Sequence, residues 1–203
     1  STKKIDLGNK QSEKFRAESI LEGYKKIGYD VLNVGHYEML VGLPFLRKMS
    51  KKIDIPFISA NIKDSKTKEL VFRPYEIIER NNLKIGIIGL TSKLPDTSKS
   101  MLADDYIESG IKYVKEVSSQ SDIIVLLVNT ERSEQRALVD KFPEVDFIIT
   151  SGSTNMSREN SPQKDGGPYL YSCGKQGKYL LTVNMNVKSV GEPIIDISYH
   201  KKN

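Results

Sequence analysis

Asp122-Ile-Ile-Val-Leu-Leu-Val128 is the stretch on which the reading of the fold rests. A strand-sized run with no polar residue inside it, bounded by polar segments, is a strand buried on both faces. Helical patterns stand on either side of it, Tyr106 to Val117 before and Glu131 to Lys141 after. A second apolar run follows, Val145-Asp-Phe-Ile-Ile-Thr150. Strand, helix, strand in that order implies a parallel crossover.

Upstream, Val71 to Ile78 and Leu83 to Leu90 read as two more strands. Asn81-Asn82 between them suits a hairpin turn, because Asn tolerates positive φ. Phe57-Ile-Ser is a further strand, and Leu43 to Met49 is a short helix that carries Pro44 in its first turn. Asp30 to Val34 reads as a buried strand stopped by Gly35. Gln11 to Ile27 is a helix with Phe15, Ile20, Leu21, Tyr24 and Ile27 largely on one face and Gly28 as a left-handed cap. Lys4 to Leu7 is a short strand candidate ending in Gly8-Asn9.

Downstream, Ser151 to Gly167 is polar and has no hydrophobic period, which predicts an exposed loop. Three strand-like runs close the chain: Tyr169 to Ser172, Tyr179 to Val187 and Ile194 to Tyr199. Helix-strand alternation early and strands late predict a layered α/β fold.

The 203 residues are most simply one domain, 1–203. The net charge is +5, but Glu and Asp are interleaved with the lysines, which argues against a nucleic-acid-binding face. Ile123 to Val128 is the longest apolar run, far too short for a transmembrane segment. Cys173 is the only cysteine, so neither an internal disulfide nor a thiolate metal cage is expected; its setting reads as a half-buried strand. There are two histidines, His36 and His200.

Four groups of residues, in order, resemble the catalytic domain of the calcineurin-like metallophosphoesterases, in their 5′-nucleotidase / UDP-sugar hydrolase branch. The first is Gly28-Tyr-Asp-Val-Leu-Asn-Val-Gly-His-Tyr-Glu38, similar to that family's Gly-Asn-His-Glu segment. The second is Ile58-Ser-Ala-Asn-Ile62 with Lys84-Ile-Gly-Ile-Ile-Gly-Leu-Thr91. The third joins Asp122 to Val128 with Phe142-Pro-Glu-Val-Asp-Phe-Ile-Ile149. The last is Ser172-Cys-Gly-Lys-Gln-Gly-Lys-Tyr-Leu180. The resemblance implies two mixed β-sheets face to face with helices outside, a four-layer fold whose N-terminal strand, with its Asp-x-His motif, is missing.

It also implies where metal ligands should stand, and most of those positions hold other residues. Asn9 stands where a bridging carboxylate is expected. His36 and Tyr37 replace the Asn and the catalytic His, with Gly35 and Glu38 kept. Asn129 replaces a His after the long strand, and Gly152 and Thr154 replace the two histidines of a Gly-Gly-His-Ser-His motif. His36 reads as a partly exposed residue that fills the emptied cleft and hydrogen-bonds to its surroundings, Tyr37 as a space-filler, and Glu38 as either a functional acid or an acceptor for loop N–H groups. Asn129 to Arg132, between a strand and a helix, would point free helix N–H groups at the cleft.

The expected protein is therefore a degenerate, non-catalytic relative that serves as a binding or scaffolding module, with no catalytic or metal residues and no cofactor. Asn9, His36, Tyr37, Glu38, Asn129, Glu131, Gly152 and Thr154 outline its vestigial, ligand-binding cleft. The alternative is a metal-dependent phosphoesterase or nucleotidase with one weakly bound Mn or Zn on His36, Glu38, Asn129 and Glu131. The partner is expected to be a protein or partner domain, or a small anion, and not nucleic acid. The family's usual location implies an exported protein, periplasmic or membrane-tethered, whose signal has been removed before Ser1.

Overall fold

A computed structural model describes residues 10–154, 156–157, 167–174, 179–186 and 194–201. Asn9 and the strand expected at Lys4 to Leu7 lie outside them. In chain order the elements are α1 (Lys10–Ile27), β1 (Leu32–Asn33), α2 (His36–Met39), α3 (Leu43–Ile53), β2 (Phe57–Ile58), β3 (Ile62–Asp64), β4 (Tyr75–Arg80) and β5 (Leu83–Thr91). They continue with β6 (Met101–Ala103), α4 (Tyr106–Ser118), β7 (Ile123–Glu131), α5 (Ala137–Lys141), β8 (Phe147–Ser153), β9 (Tyr169–Tyr171), β10 (Tyr179–Asn186) and β11 (Ile194–Lys201).

The apolar runs assemble into one five-stranded sheet in the order β4-β5-β7-β8-β9. β5, β7, β8 and β9 are parallel, and β4 joins the edge antiparallel through the hairpin. Both turn residues, Asn81 and Asn82, have positive φ, 52° and 64°, the signature of a two-residue type I′ hairpin. The crossover from β7 to β8 is parallel, as the sequence implies.

In-register pairing sorts the side chains by parity. Even-numbered residues of β5, β7 and β8 (Ile88, Leu90, Ile124, Leu126, Val128 and Ile148) form a buried cluster with Val114 and Val117 of α4. Odd-numbered residues face the other way, and there a Cβ on Gly89 would lie 2.5 Å from Asn33 Oδ1 and 2.8 Å from Ile58 Cγ1. The parallel pair β1-β2 thus packs on the face opposite α4. Around that pair, α1, α2 and α3 close a second core with Leu21, Val34, Met39, Leu46, Met49, Ile53 and Phe57. Helix, sheet, sheet, helix is the layered α/β arrangement expected. Among the described residues the smaller sheets are two-stranded: β1-β2, β3-β6 and β10-β11.

Local departures from the expectations have physical causes. α1 ends as read, with Gly28 at φ +85° and its N–H bonded 3.1 Å to Tyr24 O. Its apolar stripe, however, is not a buried face: Phe15 and Ile27 are 73% exposed and Ile20 46%. Only Leu21 and Tyr24 reach the core. The strands expected at Asp30 to Val34 and Val71 to Ile78 shrink to β1 and β4. The helix expected from Glu131 starts only at Ala137, because Asn129, Thr130 and Glu131 continue the ladder opposite Ser151, Gly152 and Ser153. The same pairing corrects the loop expected from Ser151 onward: Ser151–Ser153 belong to β8, and Thr154 is fully buried. Residues 155 and 158–166 of that segment lie outside the described residues.

Candidate functional site

The carboxyl ends of β1, β5, β7 and β8 converge on one rim, the edge where open α/β sheets bind ligands. β1 runs into Val34 and Gly35, and then α2 begins. Thr91 at the end of β5 donates its hydroxyl 2.9 Å to Val34 O, and Ser92 N–H donates 2.9 Å to Asn129 O. Asn61, fully buried, secures the same edge by donating 2.8 Å to Thr91 O and accepting 3.1 Å from Thr91 N–H.

Asn129 is the centre of the rim. Its Oδ1 accepts from His36 N–H at 3.1 Å, and its Nδ2 donates to Ser151 Oγ at 3.0 Å. One side chain therefore ties β7 to the start of α2 and to β8. Gly35 has no room for a side chain: a Cβ there would lie 2.8 Å from Asn129 Cγ and 2.9 Å from Glu38 Oε2.

Glu38 reaches back to accept from Gly35 N–H at 3.1 Å, so it does hold its own loop. The residue as a whole is exposed, but its carboxyl is turned inward to Gly35 N–H. Loss of hydration there pushes its pKa up, against the lowering influence of the Glu38 and Gly35 N–H groups and of nearby His36.

His36 Nδ1 lies 3.1 Å from Lys93 O. A carbonyl can only accept, so Nδ1 donates in this contact. The ring meets Tyr37 edge-on at 5.3 Å between centroids. Tyr37 is 67% exposed, so it does not fill the cleft, contrary to the reading of it as a space-filler.

Glu131, at the far end of β7, is exposed. Thr130 is buried and donates 2.5 Å to Glu134 Oε2. Gly152 sits opposite Thr130 with φ +99°, and a Cβ there would come within 2.8 Å of Thr130 O. Thr154 is buried in a hydroxyl chain: Ser172 Oγ lies 2.7 Å from Thr154 Oγ1 and accepts from Gly174 N–H at 3.1 Å. The structure thus brings His36, Glu38, Asn129 and Gly152 to one rim, and engages Thr154 with Ser172. Ser151, Ser172 and the Lys93 carbonyl are parts of this arrangement that the sequence reading missed; a backbone acceptor leaves no signature in sequence.

The expectation of free helix N–H groups behind Asn129 is corrected, since Asn129 to Glu131 are strand and α5 has only five residues. A pair of divalent cations needs imidazoles and carboxylates, one of them bridging. Among the described residues no three His, Cys, Asp or Glu side chains converge. At the implied ligand positions stand an amide already bonded at both ends, a glycine and a buried hydroxyl. These residues do not by themselves fit a two-metal centre.

No family model matches the chain. Its sequence is 33% identical to a 5′-nucleotidase of Vibrio vulnificus over 130 residues, covering 64% of this chain and 23% of that protein. Protein UshA of Escherichia coli is 32% identical over 130 residues, with the same coverage of 64% and 23%. The chain therefore spans about a quarter of the length of these relatives. Among solved structures, a 5′-nucleotidase precursor from Thermus thermophilus superposes with a TM-score of 0.76 at 20% identity, covering 92% of this chain and 41% of that one. The calcineurin-like phosphoesterase YfkN from Bacillus subtilis gives 0.71 at 21% identity, covering 95% and 71%. The chain is thus similar in sequence to 5′-nucleotidases, and it shares its layered fold with solved 5′-nucleotidases and a calcineurin-like phosphoesterase.

Proposed function

We propose that this chain is a 5′-nucleotidase-like domain that has lost two-metal hydrolysis and works as a binding or scaffolding module. One observation carries the reading: Asn129, where a ligand is implied, spends its amide on His36 N–H and on Ser151. Two cations roughly 3.5–4 Å apart repel strongly and require anionic ligands between them. A neutral amide that knits two strands and a helix together supplies no such charge. Gly152 offers no donor, and Thr154 is buried against Ser172. The cleft on this reading is a fastened seam with no catalytic residues and no resident metal, and the working partner is a protein or protein domain.

The family resemblance supports an exported setting, periplasmic or membrane-tethered. Among the described residues no helix is long and apolar enough to cross a membrane.

The test is metal content by elemental mass spectrometry, after incubation with excess manganese, zinc and iron and then desalting. The expected result is below about a tenth of an equivalent of any metal. One equivalent or more, retained by the wild type and lost in His36→Ala, would overturn the reading. Saturable, metal-dependent phosphoester hydrolysis would do so as well.

A further inference from the structure

α1 is fastened to α3 from one side only. Lys52 on α3 donates to Glu18 at 2.5 Å and to Glu22 at 3.0 Å, both on α1. Beside this strap the helices part into a groove of about 780 Å³. Its apolar lining is Phe15, Pro44 and Phe45, and Lys14 and Lys48 flank it.

The aromatic residue of the α1 wall is open to water. Phe15 is 73% exposed on a helix whose buried contacts come from Leu21 and Tyr24. Among the described residues, Phe15 with a second aromatic and a proline beside it presents a contiguous apolar surface.

The charges have a definite sign. Glu18, the acid among the groove's lining residues, shares Lys52 with Glu22, and its carboxyl is held below the usual range chiefly by its bond to Lys52. Among the described residues neither Lys14 nor Lys48 is in an ion pair. The Lys14 ammonium instead lies 5.7 Å from the centre of the Phe45 ring. Lys14, Lys48 and Lys52 against Glu18 and Glu22 leave a net positive charge beside the apolar floor, which suits an occupant with both carboxylates and apolar side chains.

We propose that the α1–α3 groove docks an acidic peptide segment of another protein, with an aromatic or aliphatic side chain seated between Phe15 and Phe45 and carboxylates on Lys14 and Lys48. Two other occupants have the wrong charge. The nine residues before α1, Ser-Thr-Lys-Lys-Ile-Asp-Leu-Gly-Asn, carry two lysines against one aspartate, and a second copy of a chain of net charge +5 is repelled. An anionic bilayer fits less well, because a concave groove suits an inserted side chain better than a flat sheet of headgroups. The groove shares no residue with the cleft, so the two proposals stand or fall separately. Metal content reads one, and peptide binding reads the other.

The test pans a randomised twelve-residue peptide pool against the immobilised full chain. Phe15→Ser and the double variant Lys14→Glu, Lys48→Glu are panned in parallel. All of these positions are on the surface, and unchanged melting temperatures confirm that the variants are folded. The expected result is enrichment of Asp/Glu-rich peptides with interspersed Leu or Phe. A synthetic peptide from that pool should bind at least tenfold more weakly to both variants, and more weakly as salt is raised.

No enrichment, enrichment without acidic excess, or equal binding to the variants would overturn the proposal. Sedimentation with phosphatidylserine vesicles that the charge variant abolishes would assign the face to a membrane instead. Dimerisation in light scattering that the same variant abolishes would assign it to a second copy. Either of these outcomes also overturns the proposal.

Discussion

Gly35 has an ordinary φ of −91°, so the absence of a side chain there answers to space and not to backbone strain. Gly35→Ala should push Asn129 off the rim and lower stability by about 1–3 kcal/mol, as overpacking does. Adding Asn129→Ala removes the obstructing amide, so the double variant should cost less than the sum of the two single changes, read from urea denaturation as a double-mutant cycle. Glu38 gives a pH dependence whose sign is fixed. Its pKa in the folded chain is raised above the ordinary value for a glutamate, so between those two values the native state binds more protons than the unfolded one. Its contribution to stability therefore falls as pH rises through that window and stays lower above it. Glu38→Gln keeps an oxygen for Gly35 N–H and removes the charge. Melting temperatures followed from about pH 4 to about pH 8 should then diverge in favour of the variant. A gap between the two proteins that does not change with pH would refute the assignment. Of these contacts only the acceptance of a loop N–H by Glu38 was among the readings of the sequence; the others were not legible beyond the position of the residues at strand ends. The bond from His36 to Asn129 joins residues 93 apart, and no local pattern encodes such a pairing.

At the scale of elements, the parts legible in advance are those with strong local signals. β5 and β7 announce themselves as apolar runs, and the β4–β5 hairpin by its Asn pair. Asn82 holds φ +64°, so Asn82→Val should cost about 1–2 kcal/mol, because a β-branched side chain is strongly disfavoured in that region. Asn82→Gly should hold or raise stability, and equilibrium denaturation of the two variants checks both signs. The reading failed where tertiary pairing overrode a local pattern. Glu131 to Lys141 has a helical composition, yet its first residue goes on pairing with Ser153, and a strand that gains ladder bonds outcompetes a fraying helix start. α1 failed in the opposite sense: the helix forms, but it packs through Leu21 and Tyr24 and leaves Phe15 and Ile27 in water. Periodicity shows that one side of a helix is apolar. It does not show that the fold has something to put against that side.

At the scale of the molecule, β5 lets two layers approach the same strand. Gly86 faces α4, where a Cβ would lie 2.1 Å from Val117 Cγ1, and Gly89 faces β1-β2 on the opposite side. Gly86→Ala must therefore lift α4 off the sheet and should cost about 1–3 kcal/mol. Val117→Ala in the same chain opens room for the new methyl group, so the pair should be more stable than Gly86→Ala alone. Thermal melts of the three variants decide the point, and equal melting temperatures for Gly86→Ala and the pair would refute the contact. The layered architecture itself was legible, because alternating helices and buried strands leave few other ways to cover both faces of a parallel sheet. The small size of the second-layer sheets was not, since two-residue strands such as β1 and β2 carry too little pattern to mark their ends.

The Asn129 seam also has an entropic cost. The β4–β5 hairpin needs only a two-residue turn to form, and β5 meets β7 across the short span that holds β6 and α4. The seam instead closes a loop from residue 36 to residue 129, and the entropy of that closure is lost before any of its few bonds are made. Closing the rim thus carries a larger entropic cost than pairing β4 with β5 or β5 with β7, and it falls to a few side-chain and backbone bonds at the sheet edge.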